Sequence, residues 1–271
     1  MKSLPIRALY IALIVIFMLV YLVPLFFAFN ASLKTAAEYM KDSVSLTKSW
    51  MFSNYATAWE RASFGNYIMN SVLYASVCTV MSLLFSLFVA FPIARKYIFA
   101  SSFWYYLFLC GMFLPGGMIP LFQIILGLGL YDTQLGYIIV MTGVSATSVF
   151  FFTGYLKGVP RDLDEAASID GCGYFRYMFT CVIALASPAL TSMGILTMIG
   201  VWNDIVSSTI FLTTAKNYNI TRGLLTFVGQ YQNDWTLMAA ALVIVAAPMV
   251  CVYIFCQRFI VDGIMAGGIK A

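Results

Sequence analysis

Six stretches of this chain contain no Asp, Glu, Lys or Arg: residues 8–33, 62–94, 97–131, 133–156, 177–203 and 235–257. A helix needs about 20 apolar residues to cross a bilayer, and each stretch exceeds that length. With 62% hydrophobic and only 10% charged residues in 271, the chain lacks the polar surface of a soluble domain, where about a quarter of residues carry charge. Trimming the polar ends predicts helices near 8–29, 67–92, 101–125, 135–155, 182–211 and 236–257. The expected fold is all-α and polytopic, six transmembrane helices forming one membrane domain over 1–271. Pro115, Gly116, Gly117 and Pro120 in the third window and Pro188 in the fifth are breakers that a membrane tolerates only where the freed backbone groups find partners.

Positive charge sets the orientation, because Lys and Arg in short loops are retained in the cytoplasm. With both termini inside, that side collects Lys2, Arg7, Arg95, Lys96, Lys157, Arg161, Arg176, Arg258 and Lys270. The far side holds Lys34, Lys41, Lys48, Arg61, Lys216 and Arg222, the first four in one long loop mixed with Glu38, Asp42 and Glu60. Cytoplasmic termini are therefore predicted. The apolar run after Lys2 and Arg7 is longer than a signal-peptide core and lacks a clear small-residue cleavage site, so it reads as a retained helix. Trp50, Tyr55, Trp59 and Phe64 in the long loop suit a folded or interfacial segment.

The same composition excludes several functions. Histidine is absent, which removes the commonest metal ligand and pH switch. The six cysteines lie in or beside apolar runs without paired spacing, so neither a disulfide framework nor a metal site is expected. A net charge of +4 without a basic block gives no footprint for nucleic acid. No G-x-x-x-x-G-K-[ST] loop, nor any Gly-Lys pair, is present to cradle nucleotide phosphates. Neither catalytic residues nor a cofactor of its own are expected of this chain.

The most informative segment is the polar loop 157–176 between the fourth and fifth windows. Pro160 suits a first helical turn, Asp162, Asp164 and Glu165 favour the positive end of a helix, and Gly171 suits the position past its end. A helix that short is unstable alone in water, so it needs a partner surface. Ala166 and Ala167 permit close approach, while Leu163 and Ile169 supply apolar contacts. Physics alone leaves a capped connector and a docking element equally open.

Glu165-Ala166-Ala167, then Asp170-Gly171, then Pro188 resemble the EAA loop of ATP-binding-cassette importer permeases. Trp202-Asn203-Asp204, Gly223-Leu224 with Phe227, Gln257 to Gly263, and Gly267 to Lys270 resemble the carbohydrate branch of that family, as do Asn66 to Val72 and Pro92 to Arg95. Cys172 stands where alanine is usual, Ala184 where a proline is common, and the Gly-Gly-Ile-Lys-Ala tail departs from Gly-Ala-Val-Lys-Gly. The resemblance implies a bacterial cell-membrane subunit that pairs with a second permease. It also implies two ATPase subunits, which bind ATP and Mg and dock on Glu165, Ala166, Ala167, Asp170 and Gly171, and an outside sugar-binding protein that delivers the solute.

Two further groups of residues attract roles. Trp202, Asn203 and Asp204 could line a sugar path, an indole stacking on sugar faces and the polar pair bonding hydroxyls; equally, they could anchor the interface and satisfy backbone. Tyr218, Asn219 and Thr221, in the loop from about Thr213 to Asn233, resemble a segment that contacts the binding protein; a plain polar connection is the competing reading. A permease for another small solute and an ion-coupled secondary transporter are the alternatives. The latter requires intramembrane ionisable residues, and only Asp204 qualifies.

Overall fold

The structure, a computed structural model, describes residues 4–114, 116–228 and 234–268, with side chains described between 9 and 257. Pro115, Lys2, residues 229–233 and 269–271, and the side chains of Arg7, Arg258 and the tail motif beyond Gln257 lie outside the described residues. Among those described, every regular element is helical: α1 (Leu4–Ser32), α2 (Ala36–Lys41), α3 (Ser53–Arg61), α4 (Phe64–Arg95), α5 (Ser101–Gly111), α6 (Met118–Gly127), α7 (Gln134–Met141) and α8 (Ala146–Lys157). There follow α9 (Asp162–Ile169), α10 (Tyr174–Leu185, with a π turn over Met178–Val182), α11 (Ser187–Trp202), α12 (Val206–Phe211) and α13 (Trp235–Gly268).

Among the described residues, three helical stretches are long and apolar enough to span alone: Leu9–Ser32, Phe64–Arg95 and Trp235–Gln257. Two bent pairs, α7 with α8 at 48° and α10 with α11 at 78°, bring the number to five if each pair is one span. The six expected from the charge-free windows are not reached by helix length. Where the sequence predicts one helix over 101–125, α5 and α6 are separate elements interrupted around Gly116 and Gly117, residues of poor helix propensity. Pro120 then sits in the first turn of α6, where its missing N–H leaves no bond unmade. The fifth prediction, 182–211, is offset. Its helix starts at Tyr174 despite the charged Arg176, bends before Pro188, and stops at Trp202 because Asn203 and Asp204 lead into a turn and the separate α12.

By its internal contacts the chain forms two compact units. The first comprises residues up to Gly65 with Gly223–Val250. Here the long loop after α1 is folded, as its aromatics and mixed charges suggest. Asn30 donates to the Ser45 carbonyl (2.8 Å) and accepts from Thr47 N–H (2.9 Å), while Asn54 donates to the Ser32 and Lys34 carbonyls. Thr35 caps α2 by accepting from Glu38 N–H, the first half of a capping box. Hydrogen bonds from Ser49 and from Lys48 N–H hold the Glu38 carboxyl below its ordinary range. Lys34 is fully buried, its charge met by the Asp42 carbonyl at 2.8 Å. Arg61 closes an ion pair with Asp234. By contrast, none of the apolar window of α1 is buried.

The second unit, Asn66–Arg222 with residues from Cys251 on, packs around α4. Leu83, Leu87, Phe91, Phe152, Met178 and Met193 form its core. In lipid such burial gains no hydrophobic energy, and helices associate by close packing and interhelical hydrogen bonds. Close packing is visible at Gly194, where an added Cβ would come within 3.3 Å of Leu83 Cδ1. The polar bonds follow a pattern on α4: Asn70, Tyr74, Cys78, Ser82 and Ser86 recur every fourth residue, which places them on one face. Ser82 donates to the Gly143 carbonyl (3.0 Å) and Ser86 accepts from Ser145 N–H (3.2 Å), satisfying the break between α7 and α8. Tyr155 does the same for the bend after α10, donating to the Leu185 carbonyl at 3.2 Å. The broken spans are thus stable because neighbouring helices take up the backbone groups that the breaks release.

Candidate functional site

The loop after α8 is built around a buried ion pair. Arg95, the last residue of α4, and Asp164, in the first turn of α9, meet at 2.7 Å with side-chain exposures of 3% and 8%. Removing charges from water is costly unless they are paired; here the two charges meet each other, while Arg95 Nε, buried beside Asp164 Oδ2, makes no aligned hydrogen bond. Arg95 Nη1 also donates to the Leu156 and Val159 carbonyls at 3.0 and 2.9 Å, at and just past the end of α8. Asp164 accepts further from Tyr177 and Tyr97 hydroxyls. Burial and the bond to Asp164 raise the Tyr97 pKa, so the phenol remains a donor. Four segments are therefore stapled at one point: the end of α4, the Tyr97 turn, α9 and the start of α10.

Around this staple the predicted residues take distinct positions. Ala167 and Cys172 pack against the core, while Glu165, Ala166 and Asp170 are exposed, flanked by Leu163 at 43% and Ile169 at 86% exposure. One side of α9 is seated and the other is a free surface with charge and apolar area. α9 begins at Asp162, so Pro160 lies two residues ahead of the helix and not in its first turn, and no side chain caps it. The carboxylates of its first turn face the helix's positive end instead. Gly171 has φ of +71°, the left-handed conformation that follows a helix end and disfavours a side chain. The space beside it is open, so the requirement for glycine comes from the backbone and not from crowding.

The second cluster lies where α11 ends. Trp202 is 3% exposed and Asn203 is exposed. The Asp204 carboxylate accepts from the Tyr137 hydroxyl (2.9 Å), from Ser207 N–H and Oγ (3.1 and 2.9 Å) and from Ser208 N–H (2.8 Å). Asp204 thereby orders the first turn of α12 and ties it to α7. Asn219 donates to the Asp204 carbonyl and Thr221 to the Trp202 carbonyl, and both are buried. The structure thus joins the two groups that the sequence treats separately. Tyr218 is half-buried under the Arg222 guanidinium, 3.9 Å from its ring centroid. Between residues 212 and 222 the outward ones are Thr213, Thr214, Ala215 and Lys216.

The other end of α4 holds this loop. Asn70 donates to the Lys216 and Tyr218 carbonyls (2.7 and 2.9 Å), Tyr74 to the Asn217 carbonyl (2.8 Å), and Ser71 accepts from Ile220 N–H (2.7 Å). Asp132 adds a clamp on the backbone N–H groups of Thr213 and Thr214 and on the Thr214 hydroxyl. Burial alone would raise the Asp132 pKa, but the Thr214 and Thr213 bonds prevail and leave it far below the usual range. Neither the Arg95–Asp164 pair nor Asp132 is apparent as a site from sequence. The polar stripe recurring every fourth residue on α4 is the signal that could have located the anchor of this loop. Among the described residues no cluster of side chains could hold a metal ion.

Comparison with known proteins places this geometry. No family model matches the chain. The arabinooligosaccharides transport system permease protein AraQ of Bacillus subtilis is 30% identical over 269 residues, covering 96% of this chain and 95% of the relative. The inner membrane ABC transporter permease protein YcjP of Escherichia coli is 31% identical, covering 94% and 93%. The melibiose/raffinose/stachyose import permease protein MelC of Bacillus subtilis is 28% identical, covering 92% and 91%. A chain of a bacterial ABC transporter involved in importing the acidic polysaccharide alginate shares the fold, with a TM-score of 0.82 over 95% of this chain and 98% of that one at 23% identity.

Proposed function

The chain belongs to the permease subunits of ATP-binding-cassette transporters, and from that premise we propose that it forms half of the path of an oligosaccharide importer whose ATPases dock on α9. The observation that carries this reading is the EAA loop itself. It is a short helix seated on its own chain by a buried ion pair, with Glu165, Ala166, Asp170 and Ile169 presented outward. Force passes between subunits only through an element that is held rigidly on one side and free to contact on the other, and α9 meets both conditions. The sugar class is supported by relatives named for arabinooligosaccharides and for melibiose, raffinose and stachyose.

ATP and Mg belong to the ATPase subunits in this reading. A second permease is supported by α1, whose apolar window finds no burial within this chain. The subunit sits in the bacterial cell membrane with both termini and the EAA loop cytoplasmic, following the distribution of Lys and Arg. The loop over 212–228 then faces outside, where Thr213, Thr214 and Lys216 meet the sugar-binding protein while Tyr218, Asn219 and Thr221 hold the loop's shape. Of the Trp202-Asn203-Asp204 trio, Asn203 is the position assigned to the solute path, since Asp204 is occupied by donors of its own chain.

The test is Glu165→Lys in the full transporter. Reversing an exposed charge costs the fold little, so membrane insertion should be unchanged while ATPase co-purification and labelled oligosaccharide uptake are lost. Normal association together with normal uptake would overturn the docking assignment. Uptake of amino acids but not of oligosaccharides by the wild-type complex would overturn the sugar class alone.

A further inference from the structure

We propose that a cleft at the start of α5 binds the phosphate of an anionic phospholipid in the cytoplasmic leaflet. The cleft, about 120 Å³, is lined by Lys96, Lys157, Ser101, Ser102, Tyr105 and Tyr106, with no carboxylate in its wall. Two cations therefore face a space rich in hydroxyl donors and empty of negative charge. Neither lysine is spoken for: the ion pairs among the described residues are Arg61–Asp234 and Arg95–Asp164. Lys157 lies over the Tyr105 ring, its Nζ 4.5 Å from the centroid, an arrangement that steers the ammonium without neutralising it.

The local backbone favours the same ligand chemistry. Lys96 has φ of +61° and Ala100 of +53°, so the chain reverses sharply between α4 and α5 and returns Ser101 and Ser102 beside Lys96. No side chain caps α5, and the N–H groups of its first turn add positive potential to that of the lysines. Basic pockets at the cytoplasmic ends of membrane helices suit lipid headgroups. A lipid rather than a free anion is favoured by what adjoins the cleft: Phe103, Tyr106 and Leu107 on α5 are 60%, 61% and 48% exposed, an apolar track along which acyl chains can lie.

The site also abuts the coupling machinery. Lys96 follows Arg95 of the staple, and Lys157 is the last residue of α8 before the EAA loop. A bound headgroup would tie these two helix ends together, so anionic lipid should stiffen the seat of α9. This inference rests on the orientation proposed above only for the choice of leaflet; binding can be read without it.

The experiment uses the complete transporter, purified from phosphatidylcholine or phosphatidylglycerol nanodiscs, with retained lipid counted by native mass spectrometry. Wild type should retain phosphatidylglycerol in preference to phosphatidylcholine. Lys96→Gln or Lys157→Gln should weaken retention about fivefold, and the double substitution about thirtyfold, at roughly 1 kcal/mol per surface cation. Lys96→Arg with Lys157→Arg, which keeps both charges, should retain the lipid, and Lys41→Gln should behave as wild type. Equal retention of both lipids, or no change in the double Gln variant, would overturn the proposal. Displacement of bound phosphatidylglycerol by inorganic phosphate, with no preference between the lipids, would assign the site to a free anion instead. Loss of ATPase subunits from the Gln variants with lipid retention intact would identify the cleft as protein contact. Failure of the docking assignment appears separately, as normal ATPase association in Glu165→Lys.

Discussion

Two polar loops hang from opposite ends of α4, and they use their family-typical residues in opposite ways. The EAA loop buries its anchor, Asp164 on Arg95, and turns Glu165, Ala166 and Asp170 outward. The loop over 212–228 turns Asn219 and Thr221 inward, against the carbonyls of Asp204 and Trp202, and exposes Thr213 to Lys216. In the first loop, residues that carry the resemblance are thus left as open surface. In the second they read as scaffold. The contrast teaches that recurrence within a family does not distinguish contact from support; burial and bonding within the chain do.

The sharpest way to break this comparison is at the anchor. Asp164→Leu leaves the Arg95 guanidinium buried without its counter-charge, at a cost of about 3–5 kcal/mol. The EAA loop should then become accessible to protease and ATPase association should fall, while protection of the 212–228 loop in hydrogen exchange stays as in wild type. If both loops loosen together, they are one cooperative element and the comparison fails.

Asn219→Ala should act on the other loop alone. It removes the donor to the Asp204 carbonyl and the acceptor of Arg222 N–H, and an unmet buried polar group costs about 1–3 kcal/mol. Faster amide exchange over 213–222 is expected, with normal ATPase association. Lost association would show that this loop, too, reports to the ATPase.

Gly171→Ala sharpens the comparison from the side of the EAA loop. With open space around the position, the penalty is the left-handed backbone alone, about 1 kcal/mol. Asn, which tolerates that conformation, should be milder than Ala. Parallel thermal unfolding of the two variants checks the order, and a larger loss for Asn would mean that side-chain bulk governs the turn.

The smallest effect concerns pH. Because the folded pKa of Asp132 is depressed, its stabilisation is present above the unfolded value near 3.8 and is lost only as pH falls through the lower folded value. Exchange at Thr213 and Thr214, corrected for intrinsic rate, should therefore be flat from neutral pH down to about 5. A transition near pH 6 would show that the Asp132 clamp does not hold this loop.

Much of this was legible in the sequence. Charge-free windows located α1, α4 and α13, and Asp162 to Gly171 announced both a short helix and its left-handed exit. The breaks were harder to read. Pro188 marked the bend of the fifth window, but the division of 101–125 depends on helix propensity lost around Gly116 and Gly117, which hydropathy does not weigh. Arg95 and Asp164 each had a local explanation, one as a topology charge and the other as a helix-end charge. Their pairing is a tertiary fact 69 residues apart, invisible to any local pattern. Asp204 is legible in the sequence as a carboxylate able to bond sugar hydroxyls, but not its donors, Tyr137 and residues three and four ahead, of which only folding brings Tyr137 there.

The bare apolar window of α1 has a consequence for biogenesis. A subunit whose first helix keeps its apolar window exposed has that helix bonded within the chain chiefly near its far end, by Asn30 and Ser32. Uncovered, the window offers membrane proteases an exposed apolar stretch; covered by the second permease proposed above, it would not. If the second permease proposed above covers this window, the lifetime of the protein in the cell should follow the supply of that companion, so that an excess of one over the other is cleared without any dedicated regulator of stoichiometry.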